Sequence, residues 1–590
     1  MTLKQRSSSL LKRLEVEHEP DLTNTQLFLS NEDLQPVPPE RRTWKAWNFY
    51  DHGWTTDSIL QINTWMIVSS MITDGLSWWQ AWVCVWLGYG IVAPFIVLNA
   101  RPGAIQHITF PVVARTSFGL WGSLWCTFNR GAMACIWYGV QASIGGSCVL
   151  VMLRSMWPTN SMPESSGTNT RDFMCFFLFW LISLPAIWFP IHKMCAEFRH
   201  LFTAKAIVVP IAGIAFFVWS IVKAKGVGPI IHRPAKLHGS ELGWVMVKSL
   251  MSCISNMATA HWSSNAPDFA SRAHRPSNAV MPQLISVPLG FSLVSFLGII
   301  VSSSSEVIYG EPVWSPVDLL GKLLDGNPSH ATRFGVWFIS TSFILAQVCP
   351  SSCSSGTLAL LTIYNSPWQL GTNISANSVS AGCDLTALFP RFINIRRGGY
   401  IAAIVGLAMC PWQLLKDSNS FTSYLSELSE QPIIPRLLNI GLSAADTTAS
   451  PISTIPTYGT SAAMCTRGGH PPITTFYFPI VAYISGILIN VVGFAGASEY
   501  CYDVEPFLLL QRASIKWHSS LFASGFGVSS IIYYVLNRIW PSPGSWQTFE
   551  EVDESGWHPV EEHRRDSEEE DSYSVKKQGD DAFVREVPVA

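Results

Sequence analysis

Long uncharged stretches recur along this chain, separated by short polar segments. About 20 helical residues cross the roughly 30 Å hydrocarbon core of a bilayer, which sets the length that each stretch must reach. The stretches are continuously apolar and do not alternate, which favours helices over the strands of a barrel. The pattern predicts membrane helices over residues 58–73, 75–100, 131–153, 173–191, 206–222, 249–267, 278–305, 334–383, 400–415, 471–498 and 517–537.

These helices divide the chain into three parts. Residues 1–54 are polar and contain no apolar signal sequence, so we expect the first membrane helix to direct insertion. Residues 55–540 form the transmembrane domain, and residues 541–590 are an acidic tail that we expect to be disordered and cytosolic. Because Arg41 and Arg42 precede the first helix, the positive-inside rule predicts a cytosolic N-terminus.

The composition also indicates a membrane protein. Charged residues make up 13% of the chain and hydrophobic residues 48%, whereas about one quarter of a soluble domain is charged. The formal net charge of −3 predicts no nucleic-acid partner. The 13 cysteines lack the spacing of a disulfide framework or a zinc site, so we expect no metal and no cofactor.

An ordered series of motifs lies at residues 31–44, 63–65, 75–82, 110–115, 129–130, 136–141, 265–269, 372–377 and 385–400. Through these motifs, over roughly residues 31–425 and again near 482–497, the chain resembles the nucleobase–cation symporters, in their fungal uracil, uridine and allantoin permease branch. The resemblance implies an all-α polytopic membrane protein of about twelve transmembrane helices. Two inverted five-helix repeats would form a leucine-transporter-like core, followed by two more helices.

The family's substrate site lies between its first, third, sixth and eighth helices. Trp137 and Gln141 are four residues apart and share one face of the predicted third helix. An indole can stack on a flat heterocycle, and an amide can pair with its O=C–N–H edge. The spacing alone fits helix packing as well. The resemblance implies that both residues bind the substrate, Trp137 by stacking on its ring and Gln141 by hydrogen bonding to its edge.

Two asparagines and three weaker candidates complete the predicted site. Asn373 and Asn377 are four apart on the eighth helix, where unpaired carboxamides are unfavourable in hydrocarbon. The resemblance implies that Asn377 binds substrate and Asn373 supports it, and contact between helices is the alternative role. Ser69 and Ser70 in the short first helix, and Asn256 in the sixth, are the weaker candidates.

The expected coupling ion is a proton and not sodium. Sodium-using bacterial relatives carry adjacent hydroxyl residues at positions that match Gly371 and Thr372. With Thr372 as the single hydroxyl residue of this pair, fewer oxygen ligands are available to a hard cation such as sodium. The resemblance therefore implies proton-coupled import of a nucleobase or nucleoside of the uracil/uridine class at the plasma membrane. Allantoin and thiamine are alternative substrates.

Two segments depart from the family pattern. Residues 348–369 interrupt the predicted eighth helix, and their removal restores the family's continuous sequence. Nucleotide sequences that match a splice donor, a branch point and an acceptor can encode Val348-Cys349, Leu361-Thr362 and Gln369, respectively. We therefore interpret residues 348–369 as a retained intron. Residues 427–470 contain no spanning run where the family has its tenth helix, which indicates a misframed segment. An inactive product of a faulty gene model is thus an alternative to a working transporter.

A membrane-bound enzyme is the other alternative class. It would need His, Asp, Glu or Cys side chains clustered within the membrane. His192, His261 and His470 are isolated in the sequence, and acidic residues are nearly absent from the apolar runs. The sequence therefore predicts a transporter without enzymatic activity.

Overall fold

The described residues of this chain are almost entirely helical. A computed structural model describes residues 15–16, 34–42, 44–46, 49, 62–157, 170–188, 199–227, 231–232, 236–259, 262–326, 328–348, 373, 377–413, 415, 480–482, 484–485 and 521–539. The α-helices in these residues are α1 (Ile62–Thr73), α2 (Trp78–Gln106), α3 (Phe110–Met156), α4 (Thr170–Trp188), α5 (Arg199–Lys223), α6 (Gly239–Thr259), α7 (Trp262–Ala270), α8 (Pro276–Tyr309), α9 (Pro316–Lys322), α10 (His330–Val348), α11 (Val379–Leu388), α12 (Ile395–Ala408) and α13 (Leu521–Ile539).

Four helices among the described residues are long and apolar enough to cross a membrane. They are α2, α4, α8 and the part of α3 from Trp121 to Met156. The apolar part of α5, Val208–Lys223, is shorter. On α5, large apolar side chains are exposed at three- and four-residue intervals, the spacing of one helix face. Such an exposed stripe suits contact with lipid, and it consists of Ile211, Ile214, Val218 and Val222.

The third helix is much longer than the sequence predicted. The predicted span began at residue 131 because Arg130 carries a charge, whereas α3 begins at Phe110. Arg130 lies inside this helix and is only 2% exposed. Its guanidinium forms ion pairs with Asp268 and Asp384, so the charge is compensated without leaving the helix. The predicted N-terminal boundary of this span was therefore wrong.

The run predicted over residues 249–267 is described in two parts. α6 ends at Thr259 and α7 begins at Trp262. Residues 260–261 between them lie outside the described residues.

Helix α2 is continuous and lies against both α6 and α7. A Cβ atom on Gly88 would lie 2.5 Å from the Cβ of Cys253 in α6. A Cβ atom on Gly103 would lie 2.4 Å from the carbonyl oxygen of Pro267 in α7. These approaches require glycine at both positions. α2 therefore packs closely against both helices.

The run predicted over residues 334–383 contains α10 and α11, which both contact α3. α10 ends at Val348, and α11 begins at Val379. The proposed intron apart from Val348, the segment 427–470 and the tail 541–590 lie outside the described residues. The domain boundaries and the gene-model hypotheses therefore stay predictions.

Part of the N-terminal segment contacts the turn between α7 and α8. The Trp44 N–H donates to the Arg272 carbonyl at 3.0 Å, and the His274 N–H donates to the Trp44 carbonyl at 2.7 Å. The Trp44 indole stacks on Phe269 of α7, with ring centroids 6.0 Å apart. The N-terminal segment and this turn thus lie at one end of the molecule.

The turn between α2 and α3 joins the same end through His107. The Val37 N–H donates to the His107 carbonyl at 2.8 Å. Burial, and then the positive charge of Arg42, lowers the pKa of His107 to about 4. The imidazole is therefore neutral at pH 7, and its Nδ1–H donates to the Ser271 carbonyl at 2.9 Å.

Candidate substrate site

Trp137 and Gln141 lie one turn apart on α3, and each side chain is 1% exposed. Trp137 belongs to the main hydrophobic cluster, which also contains Trp65 of α1 and Phe343 of α10. Gln141 Oε1 is buried and has no hydrogen-bond partner among the described residues. A buried acceptor without a donor destabilises a protein by about 1–3 kcal/mol. This oxygen is therefore suited to receive an N–H group from a ligand.

The two asparagines form a hydrogen-bonded chain that ends on the backbone of α3. Asn373 Nδ2 donates to the Tyr138 carbonyl at 3.3 Å, and Asn377 Nδ2 donates to Asn373 Oδ1 at 2.9 Å. A carbonyl can only accept, so it determines the orientation of both amides. Asn377 Oδ1 then remains as a buried acceptor, without a partner in the part of the chain that the structure describes.

The backbone that carries these asparagines is π-helical. Asn373, Asn377 and Ser378 have this conformation immediately before α11. π-helical turns are rare and occur frequently at functional sites, because the wider turn alters which side chains face inward. Here the two asparagine side chains lie on one face and reach the α3 backbone three residues before Gln141. The sequence spacing predicted the shared face, and it gave no sign of the π-helical turn.

The hydroxyls of Ser69 and Ser70 are used within the protein. Ser69 Oγ donates to the Gly298 carbonyl of α8 at 3.3 Å. Ser70 Oγ donates to the Ile67 carbonyl of its own helix at 2.7 Å. Both serines are buried, as the prediction required, but their protons are directed to the backbone in this conformation. A substrate contact through these hydroxyls stays a prediction.

Asn256 also has a partner inside the helix bundle. Its Nδ2 donates to the Tyr89 hydroxyl of α2 at 3.1 Å, and both residues are buried. The amide therefore joins α6 to α2, and its predicted role in substrate binding stays a prediction. Thr372, the predicted cation-site residue, lies outside the described residues.

A buried ionic cluster, which the apolar pattern did not predict, joins α3, α7 and α11. Arg130 Nε donates to the two oxygens of Asp384 at 2.9 and 2.8 Å. Arg130 Nη1 donates to Asp268 Oδ2 at 2.7 Å. The Phe110 ring faces the guanidinium, with its centroid 4.3 Å from Cζ. The available signals in the sequence were an arginine next to an apolar run and an acid, Asp268, within the motif at residues 265–269.

Asp268 has a second function in this cluster. Its Oδ1 accepts the backbone N–H of Phe110 at 2.7 Å, at the first turn of α3. A carboxylate at a helix N-terminus satisfies an unpaired N–H group and the helix dipole. Nearby, Asn265 Nδ2 donates to Ser380 Oγ at 2.7 Å. Asp268 thus links α7 to the first turn of α3 and, through Arg130, to α11.

The described residues contain no group of three or more His, Cys, Asp or Glu side chains arranged to hold a metal ion. The buried polar groups named above are amides, hydroxyls and one compensated ionic cluster. Such groups are of the kind that orient a small polar molecule in a binding site. The expectation that the protein uses no cofactor stays a prediction.

Comparison with known proteins identifies the family of this chain. A family model described as a permease for cytosine/purines, uracil, thiamine and allantoin matches residues 36–430. An uncharacterised permease of Schizosaccharomyces pombe is 42% identical over 90% of this chain and 84% of its own length. The allantoin permease of Saccharomyces cerevisiae is 37% identical over 90% of this chain and 79% of its own length. The uracil permease of the same yeast is 41% identical over 68% of this chain and 59% of its own length.

Solved structures give the fold. The inward-facing conformation of Mhp1 aligns with a TM-score of 0.62 and 15% identity, over 90% of this chain and 97% of that chain. A closed conformation of Mhp1 with bromovinylhydantoin bound has a TM-score of 0.58 and 16% identity, over 87% of this chain and 97% of that chain. The chain therefore has an all-α polytopic fold.

It belongs to the family of permeases for cytosine/purines, uracil, thiamine and allantoin, which its sequence shows over most of its length. The predicted family and the predicted all-α polytopic fold class are confirmed.

Proposed function

We propose that this permease imports a nucleobase or nucleoside of the uracil/uridine class across the plasma membrane, coupled to a proton and without catalysing a reaction. In this proposal the protein lies in the lipid bilayer, binds a small-molecule substrate and binds no nucleic acid. The proposal is supported by the uracil and uridine permeases of Saccharomyces cerevisiae, which are 41% and 38% identical to this chain. The single hydroxyl at Thr372 supports proton coupling over sodium coupling. Allantoin is the alternative substrate.

The choice of substrate depends mainly on two buried hydrogen-bond acceptors near the indole of Trp137. Gln141 Oε1 and Asn377 Oδ1 have no donor among the described residues. Asn373 ties the segment of Asn377 to α3 at Tyr138, close to Trp137 and Gln141. A flat ring with two N–H groups on its edge can satisfy both oxygens while it stacks on Trp137. Uracil and allantoin have such groups, whereas the sugar of uridine replaces one of them.

The proposed orientation in the membrane is supported by basic residues at one end of the molecule. The N-terminal segment, with Arg41 and Arg42, contacts the turn that contains Arg272. Glu15 forms an ion pair with Arg391, in the turn between α11 and α12, at 2.6 Å. Because basic loops stay on the cytosolic side, this end faces the cytosol in our proposal.

Competition by methylated bases tests the acceptor pair. Radiolabelled uracil uptake is measured in cells without their own pyrimidine permeases, with 1-methyluracil, 3-methyluracil or 5-fluorouracil as competitor. A methyl group in place of an N–H leaves a buried acceptor unpaired, so each methyluracil is expected to compete about tenfold or more weakly. 5-Fluorouracil keeps both N–H groups and is the matched control, expected to compete as uracil does. Equal competition by all three would contradict the assignment of the two acceptors, and uptake of allantoin alone would favour the alternative substrate.

Removing residues 348–369 is expected to raise uptake severalfold. α10 ends at Val348, and the next described residue is Asn373, so the segment separates two helical pieces that both lie against α3. Excision joins them into one helix of spanning length, which the family pattern predicts. Deletion of the last 22 residues, 569–590, is the matched control and is expected to leave uptake unchanged. Uptake that falls when 348–369 are deleted would contradict the intron hypothesis.

A further inference from the structure

The amide of Asn63 on α1 is buried without a hydrogen-bond partner. The residue is 1% exposed, and neither its Nδ2 nor its Oδ1 has a partner among the described residues. Buried polar groups without partners are rare in native proteins, because each one destabilises the fold. Asn63 is seven residues before Ser70, so the two share one face of α1. This face thus carries a donor and an acceptor that the protein's own contacts do not use.

Asn63 lies at the depth where transporters bind their solutes. The residue after α1, Asp74, forms an ion pair with Lys248 at 3.0 Å. At the same end of the molecule, Lys236 forms an ion pair with Glu306 at 3.0 Å. Such charged pairs lie near the surface of the membrane. At 1.5 Å per helical residue, Asn63 is about 16 Å from Asp74, about half of the roughly 30 Å hydrocarbon core. Substrate sites of transporters lie near this midplane.

Two other faces of α1 are occupied by neighbouring helices. On one face, Trp65 lies against α8, where a Cβ atom on Gly298 would be 2.7 Å from the Trp65 Cδ1. On another face, Thr64 is a hydrogen-bonding neighbour of the Tyr89 hydroxyl on α2. Successive residues of a helix are about 100° apart, so Asn63 points away from both of these contacts. Its face is therefore directed to a different part of the interior.

The candidate site lies on the side of α3 that faces α1. Trp137 belongs to the same apolar cluster as the buried apolar side chains of α1. The opposite side of α3 packs on α12, where a Cβ atom on Gly139 would lie 2.7 Å from the Gly406 carbonyl oxygen. Gln141, one turn after Trp137, lies on the α1 side as well. Asn63 and the candidate site thus border the same interior region.

The chemistry of Asn63 complements the two buried acceptors of the candidate site. Gln141 Oε1 and Asn377 Oδ1 can bind N–H groups, but neither oxygen can donate to a ring carbonyl. We propose that Asn63 is a further substrate-binding residue, whose Nδ2 donates to a carbonyl of the transported base. Its Oδ1 shares the neighbouring N–H group with one of the two acceptors. The choice of substrate in this proposal rests on the proposed function.

Competition by thio-substituted bases tests this contact. Uptake of radiolabelled uracil is measured with 2-thiouracil or 4-thiouracil as competitor. Because sulfur accepts hydrogen bonds weakly, one of the two analogues should compete with wild-type uptake about fivefold or more weakly than unlabelled uracil. Asn63→Leu removes the amide at similar side-chain volume. It should raise the KM for uracil about tenfold and abolish the discrimination against that analogue.

Thr73→Val is the matched control on the same helix. The Thr73 hydroxyl donates to the Ser70 carbonyl at 2.7 Å, within α1. This variant should keep both the KM for uracil and the discrimination against the thio analogue. Equal competition by uracil and both analogues in wild-type protein, or discrimination that persists in Asn63→Leu, would overturn the proposal.

The melting temperature of the purified protein without substrate gives a second measurement. Replacing an unpaired buried amide with an apolar side chain of similar volume should raise the melting temperature of Asn63→Leu above that of wild type. An amide that serves folding would instead lower it on replacement, and this result would overturn the proposal. Failure of wild-type protein to take up uracil would overturn the proposed function, while the melting comparison would still decide whether Asn63 is a structural residue.

Discussion

Replacing Arg130 with alanine is expected to abolish uracil uptake and to destabilise the folded permease by about 3–5 kcal/mol. Arg130 is 2% exposed and compensates Asp384, which is 0% exposed, as well as Asp268. Without the guanidinium, a buried carboxylate remains uncompensated, and α3, α7 and α11 lose the cluster that joins them. Surface abundance in cells and the melting temperature of detergent-solubilised protein measure the effect.

Two companion variants identify charge burial as the cause. Arg154→Ala removes an exposed ion pair, with Asp325 at 3.1 Å, and should change stability by less than about 1 kcal/mol. The double variant Arg130→Ala with Asp384→Asn removes the more buried of the two carboxylates left without a cation, and should recover part of the stability that Arg130→Ala loses. Wild-type stability in Arg130→Ala alone would show that the cluster does not stabilise this fold.

Replacing Asn377 with leucine is expected to remove more than about 90% of uracil uptake at low substrate concentration while surface abundance remains normal. In our proposal Asn377 Oδ1 accepts an N–H of the substrate, and leucine would leave that N–H buried without an acceptor. A loss of about 1.4–2.8 kcal/mol, within the range for an unsatisfied buried polar group, corresponds to a decrease in affinity of roughly 10- to 100-fold. Concentration-dependent uptake should therefore show a raised KM.

Thr386→Ala is the matched control for this variant. Thr386 is buried on α11, and its hydroxyl donates to the Gly382 carbonyl of the same helix at 2.7 Å. Its loss should leave at least about half of the uptake, since such bonds contribute little to helix stability. An unchanged KM in Asn377→Leu would exclude Asn377 from the substrate site.

The apolar pattern was sufficient to predict most of the helices. Its success has a simple cause, because the bilayer requires long uncharged helices that satisfy their own backbone. It failed at the start of α3, where Arg130 is compensated by residues more than 130 positions away in the sequence. A window along the chain treats each charge separately, whereas the fold brings Arg130, Asp268 and Asp384 together.

For the candidate site, the sequence predicted which residues share a helix face, but it did not predict all of their hydrogen-bond partners. Helical spacing placed Trp137 with Gln141 and Asn373 with Asn377, because residues four apart share a face. The resemblance supplied their roles. The sequence could not predict that Ser70 would bond its own helix, or that Asn256 would bond Tyr89, because a buried polar side chain takes whichever partner the packing offers. Those partners follow from the tertiary arrangement of α1, α2 and α6.

Uptake of uracil by the purified protein in liposomes tests the central proposal most directly. The liposomes are loaded at alkaline pH and diluted into acidic buffer that contains radiolabelled uracil, with Asn377→Leu and a proton ionophore as controls. The proposal predicts that uracil accumulates inside above its external concentration, and that either control abolishes the accumulation. Absence of uracil accumulation across a stable pH gradient, with the protein folded and inserted, would contradict proton-coupled uracil import by this chain.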